Sequence, residues 1–77
     1  MTHYSPSPAS CRVDFFRDFG KWYTTEALTL DYAHKGGPIG ALEDACREQL
    51  GGRLSGMWAV CVDPYHENAF PVMVRVP

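Results

Sequence analysis

The hydrophobic and polar positions of residues 38–50 repeat with the period of an α-helix, which makes this segment the clearest element in the chain. Pro38 suits a first helical position because it lacks an amide hydrogen, and Gly51 can supply the left-handed residue that ends a helix. Glu43 and Arg47 lie four residues apart on the charged face, where the spacing predicts an ion pair. A helix of this length is unstable alone, so its apolar face must pack on another element. That face comprises Ile39, Leu42, Cys46 and Leu50, with Ala45 beside it.

Two segments before the helix show the alternation of β-strands. Residues 11–18 alternate between apolar and polar side chains, and residues from 21 to about 32 look extended again. Gly20 between them supplies a turn, so the two segments are predicted to form a β-hairpin. One side of the first strand carries Cys11, Val13 and Phe15, and one side of the second carries Leu28, Leu30 and Tyr32.

Two further strands are predicted after the helix, beyond a flexible connector at residues 51–56. Residues 57–62 are apolar at every position, which is the pattern of a strand that is internal to a sheet and covered on both faces. Pro71 opens the last strand, as proline can at a strand's first residue. In that strand Val72, Val74 and Val76 share one side, and Met73 and Arg75 share the other.

The predicted order of elements is therefore ββαββ. It describes a small single α+β domain over residues 11–77, with a four-stranded, mostly antiparallel sheet and one helix packed on one face. Residues 1–10 contain two prolines and three serines without apolar periodicity, and they are predicted to be a disordered tail. One alternative stays open, because Thr25 could cap a helix over residues 26–35. The order would then be βααββ, which fits a winged helix-turn-helix.

Composition limits the classes of function. The 77 residues carry a net charge of −2 and the basic residues are spread along the chain, which argues against a protein that holds nucleic acid through its phosphates. Three cysteines, far apart and without a C-x-x-C pair, fit a reduced, cytoplasmic protein better than a secreted one. No segment has the apolar length of a membrane span. A domain of this size buries only about 60% of its unfolded surface, so a partner or a second copy would add stability.

The chain holds no motif that specifies a reaction. A loop before the last strand carries Tyr65, His66 and Glu67, but a metal site needs three or four converging ligands and an acid–base pair needs a pocket. Lys35 leads through two glycines into the helix, without the glycine pattern of a phosphate-binding loop. His34 has no partner that the sequence identifies and is assigned to the surface. We therefore predict no catalytic residue, no metal and no cofactor.

Closely spaced aromatic residues precede the helix, at Phe15, Phe16, Phe19, Trp22 and Tyr23. Alternation allows only one side of a strand to face the core, so some of these side chains must point outward. One helix cannot cover both faces of a four-stranded sheet, and an uncovered aromatic face usually binds a partner or a second copy. If the opposite sides of the last two strands meet the helix, the uncovered face also includes Met57, Ala59, Cys61 and Met73.

The sequence therefore predicts a small non-enzymatic protein that binds a larger protein or nucleoprotein complex, as an inhibitor or adaptor. In size and mild acidity the chain resembles the small anti-defence inhibitors of phages and mobile elements, such as the anti-CRISPR proteins, which share no sequence signature. That resemblance implies a component of the host's defence machinery as the target. The alternative is a winged-helix regulator that binds nucleic acid, which requires the helix over residues 26–35. The predicted partner-binding residues are Phe16, Phe19, Trp22, Tyr23, Glu43, Asp44, Glu48, Tyr65, His66 and Glu67.

Overall fold

A computed structural model describes residues 9–18, 21–31, 33–62 and 71–77. The described residues form β1 (Ala9–Asp18), β2 (Lys21–Leu30), α1 (Gly37–Leu50), β3 (Trp58–Val62) and β4 (Pro71–Arg75). Neighbouring strands pair antiparallel in one open sheet, in the order β2-β1-β3-β4. The predicted ββαββ arrangement, a small α+β fold with a four-stranded sheet and one helix on one face, is confirmed.

β1 and β2 form the hairpin that their alternation predicts. β2 remains a strand as far as Leu30, so the competing helix over residues 26–35 does not form. The physical reason is pairing, because residues 24–30 of β2 continue in unbroken register with β1. The same pairing extends β1 back to Ala9, two residues earlier than the strand predicted from residue 11.

The hydrophobic core lies between α1 and one face of the sheet. Val13 and Phe15 of β1 and Leu42 and Cys46 of α1 are the largest side chains that are completely enclosed. Their burial is what stabilises α1, since a helix of 14 residues is marginal by itself in water. The rest of the core comprises Cys11, Leu28, Leu30, Ala45, Leu50, Ala59, Cys61, Val74 and Val76.

The ends of α1 differ slightly from the prediction. The helix begins at Gly37, one residue earlier than expected, and ends before Gly51, whose φ of 59° is a left-handed conformation that glycine adopts readily. The predicted apolar stripe is buried except at Ile39, which is 56% exposed. Ile39 has the correct angular position, but periodicity does not indicate whether another element reaches the first turn. The buried residue nearest the start of the helix is Ala41.

β3 has the predicted position but not the predicted faces. It is internal to the sheet, between β1 and β4, and it begins at Trp58. Ala59 and Cys61 are buried towards α1, whereas Trp58 and Val60 are half-buried on the opposite face. The condition under which Ala59 and Cys61 would lie on the uncovered face is therefore not met, and the prediction that this strand is covered on both faces is wrong for the described residues. A continuous apolar run does not indicate which of its two sides meets a helix.

The glycine-rich connector after α1 is hydrogen-bonded at its far end to the last residues of the sequence. The Gly56 N–H donates to the Val76 carbonyl at 2.9 Å, and the Val76 N–H donates to the Met57 carbonyl at 2.8 Å. Leu54 and Met57 pack against the core. Met57 is thus on the side of the sheet that α1 covers.

Candidate functional site

The face of the sheet turned away from α1 is not covered by any described element. We call it the open face. Its side chains alternate with the buried ones along each strand, so the register of the sheet identifies them. They are Arg12, Asp14 and Phe16 of β1, Trp22, Thr25 and Ala27 of β2, Trp58 and Val60 of β3, and Met73 and Arg75 of β4.

An aromatic row crosses the open face. Phe16 is paired with Trp22 on one side and with Trp58 on the other, and Trp58 is paired in turn with Arg75. Directly opposed residues on neighbouring strands have their side chains in contact distance. Trp22 is 60% exposed, while Phe16 and Trp58 are half-buried. The row therefore presents three aromatic rings and a guanidinium across all four strands.

A β-bulge in β2 turns Trp22 onto the open face. The register passes from Phe15 opposite Thr24 to Phe16 opposite Trp22, which leaves Tyr23 as an additional residue. Without it, Trp22 would point to the same side as Thr24, towards α1, because side chains repeat with a period of two. The bulge thus places an exposed indole where the strand's alternation would not.

A chain of hydrogen bonds fixes the orientation of Trp22. Its indole Nε1–H donates to Thr25 Oγ1 at 3.1 Å, and the Thr25 hydroxyl donates to Asp14 Oδ1 at 2.8 Å. The same carboxylate oxygen accepts a hydrogen bond from Arg12 Nε at 3.1 Å. An exposed side chain that is already held in one orientation loses less conformational entropy when a partner covers it. Tryptophan is also among the residues most enriched at binding hot spots.

Two arginines, Arg17 of β1 and Arg75 of β4, lie over aromatic rings. The guanidinium carbon of Arg75 is 4.8 Å from the centre of the Trp58 ring, and that of Arg17 is 5.1 Å from the centre of the Tyr23 ring. Both are cation–π contacts, in which the guanidinium uses its flat surface and keeps N–H groups in its plane for other acceptors.

A second row runs beside the aromatic row. Asp14 is paired with Thr25 and with Val60, and Val60 is paired with Met73, which is 43% exposed. The open face therefore combines a broad apolar area with one carboxylate near its middle and arginines at its margins. This composition matches that of protein–protein interfaces, in which aromatic residues, methionine and arginine are enriched.

The predicted partner-binding residues fall into three groups. Phe16 and Trp22 lie together on the open face, and Tyr23 is beside them in the bulge. The acidic residues of α1 form a separate surface, because α1 covers the opposite face of the sheet. That acidic surface consists of Glu43, Asp44 and Glu48. The predicted residues that lie outside the described part of the chain are Phe19, Tyr65, His66 and Glu67.

The sequence pattern did not identify Trp58, Val60 and Arg75 as members of one surface. A usable signal was present, because small and large side chains alternate in β3. Ala59 and Cys61 are small enough to let a helix approach closely, and the larger residues between them then face away.

Asp44 is bonded to His34 and to Arg47. Glu43, the neighbouring acidic residue of α1, forms no ion pair with any described residue. His34 Nδ1 accepts from the Gly36 N–H at 2.8 Å, so Nε2 carries the proton that it donates to Asp44 at 2.6 Å. Arg47 also donates to Asp44, and the bonds from His34 and Arg47 hold the pKa of Asp44 below its ordinary value. His34, assigned to the surface without a partner, is therefore half-buried and bonded to Asp44, and the prediction of a Glu43–Arg47 pair is wrong. Asp44, three residues before Arg47, takes the place of Glu43.

The described residues contain no group of three or more histidine, cysteine or acidic side chains that could hold a metal ion. All three cysteines are buried, as predicted for Cys46 and Cys61. Burial, with a smaller effect of Glu43, raises the pKa of the Cys46 thiol to about 11. Cys46 is therefore protonated at neutral pH, whereas a nucleophilic cysteine needs its thiolate. Within the described ranges, no helix is long and apolar enough to cross a membrane.

Comparison of this chain with profiles of known protein families, with curated proteins and with solved structures finds no match. The open face is therefore the basis on which a function is assigned.

Proposed function

We propose that this chain is a small non-enzymatic protein that binds a larger protein through its open face and acts as an inhibitor or adaptor. The observation that supports this function is the aromatic row, in which Trp22 is 60% exposed beside the half-buried rings of Phe16 and Trp58. Contiguous apolar surface of this kind on a folded domain typically marks a site of interaction.

The exposed part of Trp22 is large enough to dominate an interface. A tryptophan side chain offers up to about 250 Å², and the 60% that is exposed corresponds to about 150 Å². At roughly 25 cal/mol per Å², its complete burial would contribute up to about 4 kcal/mol. Hot-spot residues contribute about 2 kcal/mol or more when they are truncated to alanine. Trp22 has the area to be one.

The class of target is proposed from the resemblance of the chain to small anti-defence inhibitors. Small size and mild acidity favour an anti-defence inhibitor whose target is a host protein or nucleoprotein complex in the cytoplasm. The alternative winged-helix regulator has lost its structural basis, because residues 24–30 pair as a strand where its second helix was required.

Affinity capture from a host lysate tests the proposal. The tagged wild-type protein is compared with Trp22→Ala and with Ile39→Ala, and the captured proteins are quantified by mass spectrometry. Ile39 is a matched control because it is also exposed and apolar but lies on α1. We expect wild type and Ile39→Ala to capture the same protein or complex in stoichiometric amounts, and Trp22→Ala to lose it.

Circular dichroism of each variant establishes that it remains folded. A target that Trp22→Ala captures as well as wild type would contradict binding through the open face. Recovery of the chain alone, as a dimer on size-exclusion chromatography that Trp22→Ala abolishes, would show that a second copy covers this face instead.

A further inference from the structure

Arg75 differs from most of the described arginines in what it contacts. Its guanidinium lies over the Trp58 ring and forms no ion pair with any described residue. A guanidinium that stacks on a ring still offers a pair of in-plane N–H groups, which match a carboxylate with two parallel hydrogen bonds. Arg75 thus ends the aromatic row with a preoriented donor. The arginines that are paired with carboxylates in the chain are Arg12, Arg47 and Arg53.

The sheet fixes the distance between this donor and the exposed indole. Trp22 is on β2 and Arg75 is on β4, at the two ends of a row that crosses all four strands. Neighbouring strands are about 4.8 Å apart, so three spacings separate the backbones of Trp22 and Arg75 by about 14 Å. The rings of Phe16 and Trp58 form the apolar floor between them.

The charges of the open face favour a protein over a nucleic acid as the occupant. Asp14 lies next to the aromatic row, and its Oδ1 accepts from Arg12 and Thr25. A phosphate backbone is held by several cations, whereas the open face carries two described arginines, of which Arg12 is already paired with Asp14. A protein segment can instead present an acid to Arg75 and a hydrogen-bond donor to Asp14.

We infer that the partner occupies the open face with a segment that contains both an apolar and an acidic residue. The apolar side chain rests on Trp22 and Phe16, and the carboxylate pairs with Arg75. This inference rests on the proposed function and adds the chemistry of the partner. In an extended segment that rises about 3.4 Å per residue, a separation of about 14 Å places the two side chains about four residues apart.

Selection from a random-peptide display library on the immobilised full chain tests the inference. Selected peptides are then measured by fluorescence anisotropy against wild type, Trp22→Ala, Arg75→Gln, Arg75→Lys and Arg47→Gln. Arg47→Gln removes a comparable charge from the outer face of α1 and is the matched control. Circular dichroism confirms the fold of each variant. Oligothymidylate, a single-stranded DNA, is measured in parallel.

We expect the selected peptides to share an aspartate or glutamate about four residues from an aliphatic or aromatic residue. Their affinity should fall about tenfold or more in Arg75→Gln, a loss equivalent to one charge-assisted hydrogen bond. It should fall about tenfold or more in Trp22→Ala as well, because the apolar side chain of the peptide loses its contact with the indole. It should fall less in Arg75→Lys, which keeps the charge without the planar pair of donors. Arg47→Gln should bind like wild type.

Peptides that require Trp22 but bind Arg75→Gln as tightly as wild type would overturn this inference and leave the proposed function intact. Absence of any peptide that depends on Trp22 would also overturn it, while the lysate capture tests the proposed function independently. Oligothymidylate binding that is lost in Trp22→Ala would assign the face to nucleic acid. Dimerisation that is abolished by Trp22→Ala would assign it to a second copy.

Discussion

Replacement of Gly40 by alanine should destabilise this protein, although alanine is the better helix former. A Cβ atom added at Gly40 would lie 2.7 Å from both Nδ1 and Cε1 of His34, so the imidazole must move. The imidazole is held by the Gly36 N–H and by Asp44, and its displacement breaks the link between α1 and the loop that precedes it. Gly40 is therefore required by close approach of the ring.

The magnitude follows from two opposing effects. Glycine to alanine within a helix stabilises by about 1 kcal/mol. An additional methyl group in a filled site destabilises by about 1–3 kcal/mol, and loss of the hydrogen bond from Gly36 to His34 adds about 1 kcal/mol. The expected net loss of unfolding free energy is about 1–3 kcal/mol. For a domain of this size, each 1 kcal/mol lowers the Tm by about 4–8 °C.

A double-mutant cycle, measured by urea denaturation with circular dichroism, isolates the contact. Wild type, Gly40→Ala, His34→Ala and the double variant are compared. In the His34→Ala background, Gly40→Ala should stabilise the protein by about 1 kcal/mol, because only the helix propensity remains. If Gly40→Ala has the same stabilising effect in both backgrounds, His34 does not pack on α1 as described.

Three further predictions concern other contacts. Leu42→Ala should lower the unfolding free energy by about 2–5 kcal/mol, because the side chain is completely buried, and a Tm change of only a degree or two would mean that α1 does not dock through it. Gln49→Ala should speed amide exchange at Thr29, measured by NMR, since the Gln49 amide accepts from the Thr29 N–H at 2.8 Å and donates to its carbonyl at 2.7 Å; unchanged exchange would refute this contact. The hydrogen bond from Arg53 lowers the pKa of Glu26 from its ordinary value of 4.5. The pair therefore stabilises the fold above about pH 4.5, and this contribution is lost as the pH falls through the lowered pKa. Urea titrations of Arg53→Met should therefore show a shallower loss of stability below pH 4.5, and an identical loss would refute the pairing.

The strands and the helix could be predicted because their patterns are local. The alternation of Val13 and Phe15 with polar neighbours, and the three- and four-residue spacing along α1, each require only adjacent sequence. β2 was harder, since its residues also fit a helix. Pairing with β1 over residues 24–30, a contact between distant parts of the chain, decides for the strand.

The composition of the open face could be predicted only in part because it depends on contacts between elements. The additional residue Tyr23 reverses the alternation of β2, and nothing in the local pattern marks it as a bulge. Trp58 belongs to the open face because the other side of β3 meets α1, which an entirely apolar run does not specify. The contact between His34 and Asp44 joins residues ten positions apart across a turn, beyond the reach of helical periodicity.

Hydroxyl-radical footprinting of the captured complex tests most directly the claim that the open face is the binding surface. Trp22 and Met73 are exposed, easily oxidised side chains on that face, and Ile39 reports on the side of α1. We predict that oxidation of Trp22 and Met73 falls in the complex relative to the free protein, while oxidation of Ile39 is unchanged. Protection of Ile39, with undiminished oxidation of Trp22 and Met73, would contradict the account and place the partner on the helix.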